Sequence, residues 1–177
     1  PILKASPGRV VQTPLTTPDI LPTLLGLAGV AIPKTIEGED LSGLIRNGGV
    51  DTDRAALYMA VAPFVSGDFD REYRAIRTSQ YTYVRSIRGP WLLFDDRKDP
   101  DQANNLMEKS GVQALREKLD ARLQAGMKKI GDDFRPAQYY IEKWGYKITP
   151  QGSIPYGPKA SSQGPHAAQR SSEPAKN

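Results

Sequence analysis

The side chains best able to do chemistry are sparse and unevenly placed. Between Pro63 and Glu72 the chain gathers Phe64, Phe69, Asp68, Asp70 and Arg71 around Gly67, and Arg74 follows close behind. Mixed charge on a loop carried by rigid elements is a common means of recognising a polar ligand. The same residues equally describe a solvated loop with an internal ion pair. Asp19 could be a metal ligand, although its place ahead of an apolar periodic run suits a helix cap better. Tyr139, Tyr140, Trp144 and Tyr146 could stack on a sugar ring or pack on the body of the protein, and packing is the reading adopted. The one histidine, His166, lies in a polar tail and receives no catalytic or metal role. The absence of cysteine excludes disulfides, thiolate metal sites and a thiol nucleophile.

Overall charge narrows the field further. The 24 Lys and Arg against 20 Asp and Glu leave a net charge of +4 over 177 residues. The basic residues are interleaved with acids rather than gathered on one run, so no nucleic-acid partner is expected. No apolar run approaches the length of a membrane span. The length suffices for one modest core.

Positioning these residues falls to a few elements. Tyr73–Thr78, Tyr81–Ile87 and Trp91–Asp95 are alternating runs rich in Tyr, Val, Ile, Thr and Trp, separated by Ser79-Gln80 and Arg88-Gly89-Pro90. They predict an antiparallel meander. In the middle run Tyr81, Tyr83, Arg85 and Ile87 share one face, and Thr82, Val84 and Ser86 share the other. Neither face is purely apolar, so one is expected under a helix and the other partly wet. Ala55–Ala62 reads as a further strand, and Val10–Thr13 as a brief one. Thr17 or Asp19 can cap the next helix; Asp19 as N-cap, with Pro22 in the first turn, predicts a helix over 19–28 carrying Ile20, Leu21, Leu24, Leu25 and Ala28 on one face and stopping at Gly29. Leu41–Ile45 is a short helical segment. Ser110 and Gln113 suggest a capping box opening a helix over 111–129, with Val112, Leu115, Leu119, Leu123 and Met127 as its apolar stripe. Residues 132–157 read as an aromatic extended segment, and 158–177 as a disordered tail.

These runs carry a family resemblance. Arg74-Ala75-Ile76-Arg77-Thr78, Gln80-Tyr81-Thr82-Tyr83-Val84, Leu93-Phe94-Asp95-Asp96, Asp99-Pro100-Asp101-Gln102 and Asn104-Asn105-Leu106 follow in the order found in the C-terminal part of the sulfatases, in the alkaline-phosphatase-like superfamily. Upstream, Pro1-Ile2-Leu3 with Pro7-Gly8, the run Thr17 to Leu25 with Ala28-Gly29, and Gly38-Glu39-Asp40-Leu41 are similar to earlier signatures of that family. Phe94, Thr82 and Asp101-Gln102 depart from the usual tyrosine, lysine and glutamate. The resemblance extends over roughly residues 1 to 157.

The resemblance implies an α+β fold: a small antiparallel sheet with one helix packed across it, preceded by the last strand and helix of a larger α/β core. It divides the chain into the end of that core (1–50) and a C-terminal subdomain (51–131). It also implies sulfate-ester hydrolysis by a formylglycine hydrate with calcium held by Asp and Asn, both in the N-terminal part of the intact enzyme. Ser6 does not fit a Ser-x-Pro-x-Arg motif, because Pro7 follows it directly. No catalytic or metal residue is therefore assigned to this chain. Its partners would be the N-terminal sulfatase domain and, through it, a sulfated small molecule or glycan, with Asp68, Arg71 and Arg74 bordering the substrate cleft. A phosphonate or phosphate monoester hydrolase of the same superfamily is the rival enzyme, and a protein-interaction module the rival class. The residues set no location; a periplasmic or secreted enzyme is what the resemblance suggests. The helix near Asp19 and the strand at Pro1 should expose apolar faces when the chain stands alone.

Overall fold

A computed structural model describes residues 10–49, 51–61, 72–149 and 154. Its elements are α1 (Thr17–Ala28), α2 (Ser42–Asn47), β1 (Ala56–Ala60), β2 (Tyr73–Arg77), β3 (Tyr81–Ser86), β4 (Gly89–Asp95), α3 (Gln113–Lys129) and α4 (Ala137–Trp144). The strands form one antiparallel sheet in the order β1-β2-β3-β4. The meander is thus as expected, with the Ala55–Ala62 run joining its outer edge as β1.

The apolar stripe of α3 drives this assembly. Leu119, Leu123 and Met127 are buried against Ile76, Tyr83 and Leu93, and Val112 and Leu115 pack at the margin. Spacing by three and four residues puts them on one helical face, over the strand residues that period two sends to the same side. Asp120 stands beside this stripe, accepting hydrogen bonds from the Tyr83 hydroxyl at 2.7 Å and Arg85 Nη1 at 2.9 Å. Burial, together with the Asp120 carboxylate, pushes the Tyr83 phenol far above its ordinary pKa.

The opposite face of β3 is not wet. Thr82, Val84 and Ser86 are all buried, as are Ala75 and Phe94. The polar members of this set are satisfied locally: Thr82 Oγ1 donates to Asp96 at 2.7 Å, and Ser86 Oγ accepts from the Arg88 amide at 3.1 Å. Hydroxyls with such partners enter a core at little cost. Alternation of residue type therefore understates burial here.

The acidic turn after β4 seals an edge. Asn105 Oδ1 accepts from the Leu93 amide at 3.0 Å and the Met107 amide at 3.1 Å, while its Nδ2 donates to the Trp91 carbonyl at 3.2 Å. The Leu106 amide donates to the Leu93 carbonyl at 2.8 Å. Backbone groups that an outermost strand would leave open are thereby occupied. Asn105→Ala should lower stability by about 1–2 kcal/mol, the loss of several half-exposed hydrogen bonds. A urea midpoint unchanged from wild type would contradict this role.

Four local expectations need correction. First, α1 begins at Thr17, with Thr16 as N-cap. Asp19 is its third residue and reaches back to Thr16 N at 2.6 Å and Oγ1 at 2.7 Å. Pro22 therefore lies inside the helix, not in its first turn. Its missing N–H leaves the Pro18 carbonyl without its helical donor, and Gly38 packs so closely on that carbonyl that a Cβ there would collide with it. Second, no Ser110 capping box forms: Val112 is the N-cap, and the Gln113 side chain turns to Glu117 at 2.9 Å. Third, the 132–157 segment contains a helix, α4, entered from Pro136 and ended by Gly145 in the left-handed region at φ 63°. Fourth, Val10–Thr13 is not a strand. The expectations for Pro1–Leu3 and for 158–177 lie outside the described residues.

Candidate functional site

Arg74 occupies the first position the sequence brings to notice. Its side chain is only 2% exposed. The guanidinium Nε pairs with Asp132 Oδ2, Nη2 donates to Asp132 Oδ1 at 3.3 Å, and Nη1 donates to the carbonyls of Ala60 at 3.3 Å and Tyr73 at 3.1 Å. The Phe134 ring covers it, with the guanidinium carbon 4.4 Å from the ring centroid.

The chain past α3 is bent to make this possible. Gly131 takes φ 70° and Phe134 φ 48°, and the Asp132 amide caps α3 by donating to the Met127 carbonyl at 2.9 Å. Asp132 then accepts the Phe134 amide at 2.8 Å. A left-handed phenylalanine is uncommon, and persists where packing over-determines it. Here the buried ring and the ion pair supply that packing. Arg74 thus holds the end of α3 to β2, its guanidinium engaged by Asp132 and by the carbonyls of Ala60 and Tyr73. Asp68 and Arg71 lie outside the described residues. Ala60 and Tyr73, whose carbonyls Arg74 binds, are the ends of the strands from which their loop departs.

A second charged node joins the helical N-terminal part to the sheet. Arg54 Nη2 meets Asp19 Oδ2 at 2.5 Å, Nε donates to the Pro14 carbonyl at 2.9 Å, and Nη1 pairs with Glu39. Asp19 also accepts the Glu39 amide at 2.9 Å. Burial raises the Asp19 pKa, but the hydrogen bonds from Glu39, Thr16 and Arg54 outweigh it and hold the carboxyl below its ordinary value. Capping and bridging use both of its oxygens, so Asp19 does not suit a metal ion.

The densest carboxylate run, Asp95 to Asp101, does not suit one either. Asp95 accepts from Gln80 Nε2 at 3.1 Å and the Arg97 amide at 3.2 Å. Asp96 accepts from Thr82 Oγ1 at 2.7 Å and Gln102 Nε2 at 2.7 Å. Asp99 accepts the Ala103 and Asn104 amides, which hold its pKa low. Among the described residues no cluster of His, Cys, Asp and Glu is placed to hold a metal ion. No helix among them is long and apolar enough to cross a membrane.

The outer face of α1 is the remaining conspicuous surface. Asp19, Pro22 and Thr23 are its buried residues, whereas Ile20, Leu21 and Leu24 are 47%, 54% and 57% exposed. The helix is therefore turned inside out relative to a surface helix, with polar groups inward and leucines outward.

Comparison with known proteins places this architecture. The profile of the family "N-sulphoglucosamine sulphohydrolase, C-terminal" matches residues 3–129. The chain belongs to that family. It is a sulfatase C-terminal domain, and its small antiparallel sheet with helices is the corresponding part of the alkaline-phosphatase-like fold. It is similar to the ulvan-active sulfatase of Formosa agariphila, with 48% identity over 150 residues, covering 84% of this chain and 29% of that protein. A protein solved in complex with its substrate D-glucosamine-2-N,6-O-disulfate superposes with a TM-score of 0.54 at 26% identity, covering 65% of this chain and 24% of that one. A phosphonate monoester hydrolase from Silicibacter pomeroyi, at 18% identity and TM-score 0.52 over 84% of this chain, shares the fold alone. The chain thus spans about a third or less of the length of the proteins it matches.

The structural roles of Arg54 and Asp132 are not visible in sequence. Nothing in local spacing joins Arg54 to Asp19, 35 residues away, or Arg74 to Asp132, 58 residues away.

Proposed function

We propose that this domain completes a sulfuric ester hydrolase acting on sulfated carbohydrate, by docking the apolar face of α1 on the α/β core of the enzyme. The observation that carries the reading is the inverted α1: Ile20, Leu21 and Leu24 stand in solvent while Asp19 and Thr23 are buried. Burial of such side chains is worth about 1.5–3 kcal/mol each, and the matched relatives contain the length of chain that would cover them. In this reading the nucleophile, as formylglycine, and calcium belong to that other part. The β1–β2 loop with Asp68 and Arg71 forms one wall of the cleft, and the Arg74–Asp132 pair fixes where the loop leaves the sheet. Carbohydrate is favoured because the ulvan-active sulfatase is similar at 48% identity, whereas the phosphonate hydrolase supports the fold only.

A chimera tests this. The Formosa agariphila sulfatase, with its matching C-terminal stretch replaced by this chain, is expected to fold and to hydrolyse nitrocatechol sulfate. Leu21→Asp with Leu24→Asp should abolish soluble, active chimera, yet increase the solubility of the chain alone. Sulfate release by the purified chain alone, or full activity of the doubly substituted chimera, would overturn the reading.

A further inference from the structure

Helix α4 lies beyond residues 3–129, the stretch matched by the family profile, and it buries none of its residues. Its aromatic side chains instead stack on one another. Tyr139 meets Tyr140 edge-on at 5.3 Å between centroids, Tyr140 lies nearly parallel to Trp144 at 5.2 Å, and Trp144 meets Tyr146 edge-on at 6.0 Å. The Gly145 turn makes the last contact possible: the Tyr146 amide donates to the Ile141 carbonyl at 3.0 Å, which folds Tyr146 back onto the helix. Tyr139 and Trp144 remain 40% and 38% exposed.

Cations accompany the rings. Lys143 Nζ is 5.3 Å from the Tyr139 centroid and 5.9 Å from that of Trp144. The Arg135 guanidinium is 5.7 Å from the Tyr139 centroid, and it also pairs with Asp133 at 2.7 Å. Lys143 makes no ion pair among the described residues, but together with Arg135, the larger influence, its charge helps to hold the Asp133 carboxyl below its ordinary pKa. Beside the cluster is an open, mostly apolar hollow of about 410 Å³ lined by Met59, Val61, Ile130, Tyr140 and Trp144, with Arg74 and Asp132 at its side. The helix is held in place by Glu72, whose Oε1 accepts the Ala137 amide at 2.8 Å.

We propose that α4 and this hollow form a binding surface for an anionic sugar residue of a polysaccharide. Aromatic rings offer flat apolar contact to the C–H faces of a pyranose. Lys143, held over those rings, offers a charge for a sulfate or carboxylate on the same sugar. A neutral apolar peptide would use the rings alone, whereas an anionic sugar uses both the rings and the ammonium, in competition with the nearby Asp133 carboxylate. The inference rests on the reading that the enzyme acts on sulfated carbohydrate, and adds a second place at which the polymer is held.

Electrophoresis of the 177-residue chain through gels containing ulvan, dextran sulfate or uncharged dextran tests it. Both sulfated polymers should retard the chain, and dextran should do so much less. Tyr139→Ala and Trp144→Ala should each weaken retardation by roughly two- to tenfold. Lys143→Gln should remove much of the preference for sulfated polymer. Circular dichroism melts identify a variant that fails to fold, and Tyr139→Ala with Lys143→Gln then carries the comparison. No retardation of the wild type by either sulfated polymer would overturn the proposal. So would retardation unaffected by the aromatic substitutions, which would reveal general charge attraction. Neither result touches α1 docking, which the chimera reads through a small aryl ester.

Discussion

Arg74→Ala is expected to lower the unfolding free energy by about 3–5 kcal/mol, the cost of leaving one partner of a buried ion pair behind. The truncation strands Asp132, removes a donor from the carbonyls of Ala60 and Tyr73, and takes the cation from beneath Phe134. Such a loss is a large part of the total stability of a small domain. Arg74→Lys should recover only a fraction, because an ammonium cannot make the forked contact with both Asp132 oxygens. Arg74→Met combined with Asp132→Leu should cost less than Arg74→Ala, since no charge is then left buried. Denaturant titration of these variants checks the order. Equal midpoints for Arg74→Ala and wild type would show that the pair contributes nothing.

Arg54→Ala should have an effect of similar size, about 3–5 kcal/mol by the same argument, felt where α1 meets the sheet. Arg54 and Asp19 have side chains 9% and 4% exposed, so solvent screening is slight. The pair also makes a prediction with pH. The folded-state pKa of Asp19 is lowered, so its contribution is complete above the ordinary carboxylate range, near 4. It is lost as pH falls through the folded value. Asp19→Asn should accordingly destabilise the protein at neutral pH and flatten the fall in stability below pH of about 4. Thermal melts across that range measure both. A parallel fall in wild type and Asp19→Asn would assign the acid sensitivity to other groups.

How much of this was legible depends on whether the partners are near in sequence. The α3 stripe from Val112 to Met127 and the alternation of β2 and β3 are local periodic signals, and the structure pairs them as expected. The α1 start was legible in principle: Thr16 with Asp19 is a capping pattern, but Asp19 alone is an equally good cap and Pro22 favours the later start. Helix α4 was obscured because adjacent tyrosines blur any 3.6-residue period, although Pro136 before it and Gly145 after it mark its ends. The ion pair of Arg74 was hidden for a different reason. An arginine on a strand near a mixed-charge loop looks the same whether it faces a ligand or an aspartate brought back by a distant turn.

The seal that Asn105 and Leu106 place on β4 has a further consequence. Recruitment of another strand is closed on that side, so among the described elements the sheet can be extended only alongside Ala56–Ala60. Any hydrogen-bonded continuity with a strand from elsewhere, and any stacking of stray copies into fibrils, must therefore run through β1.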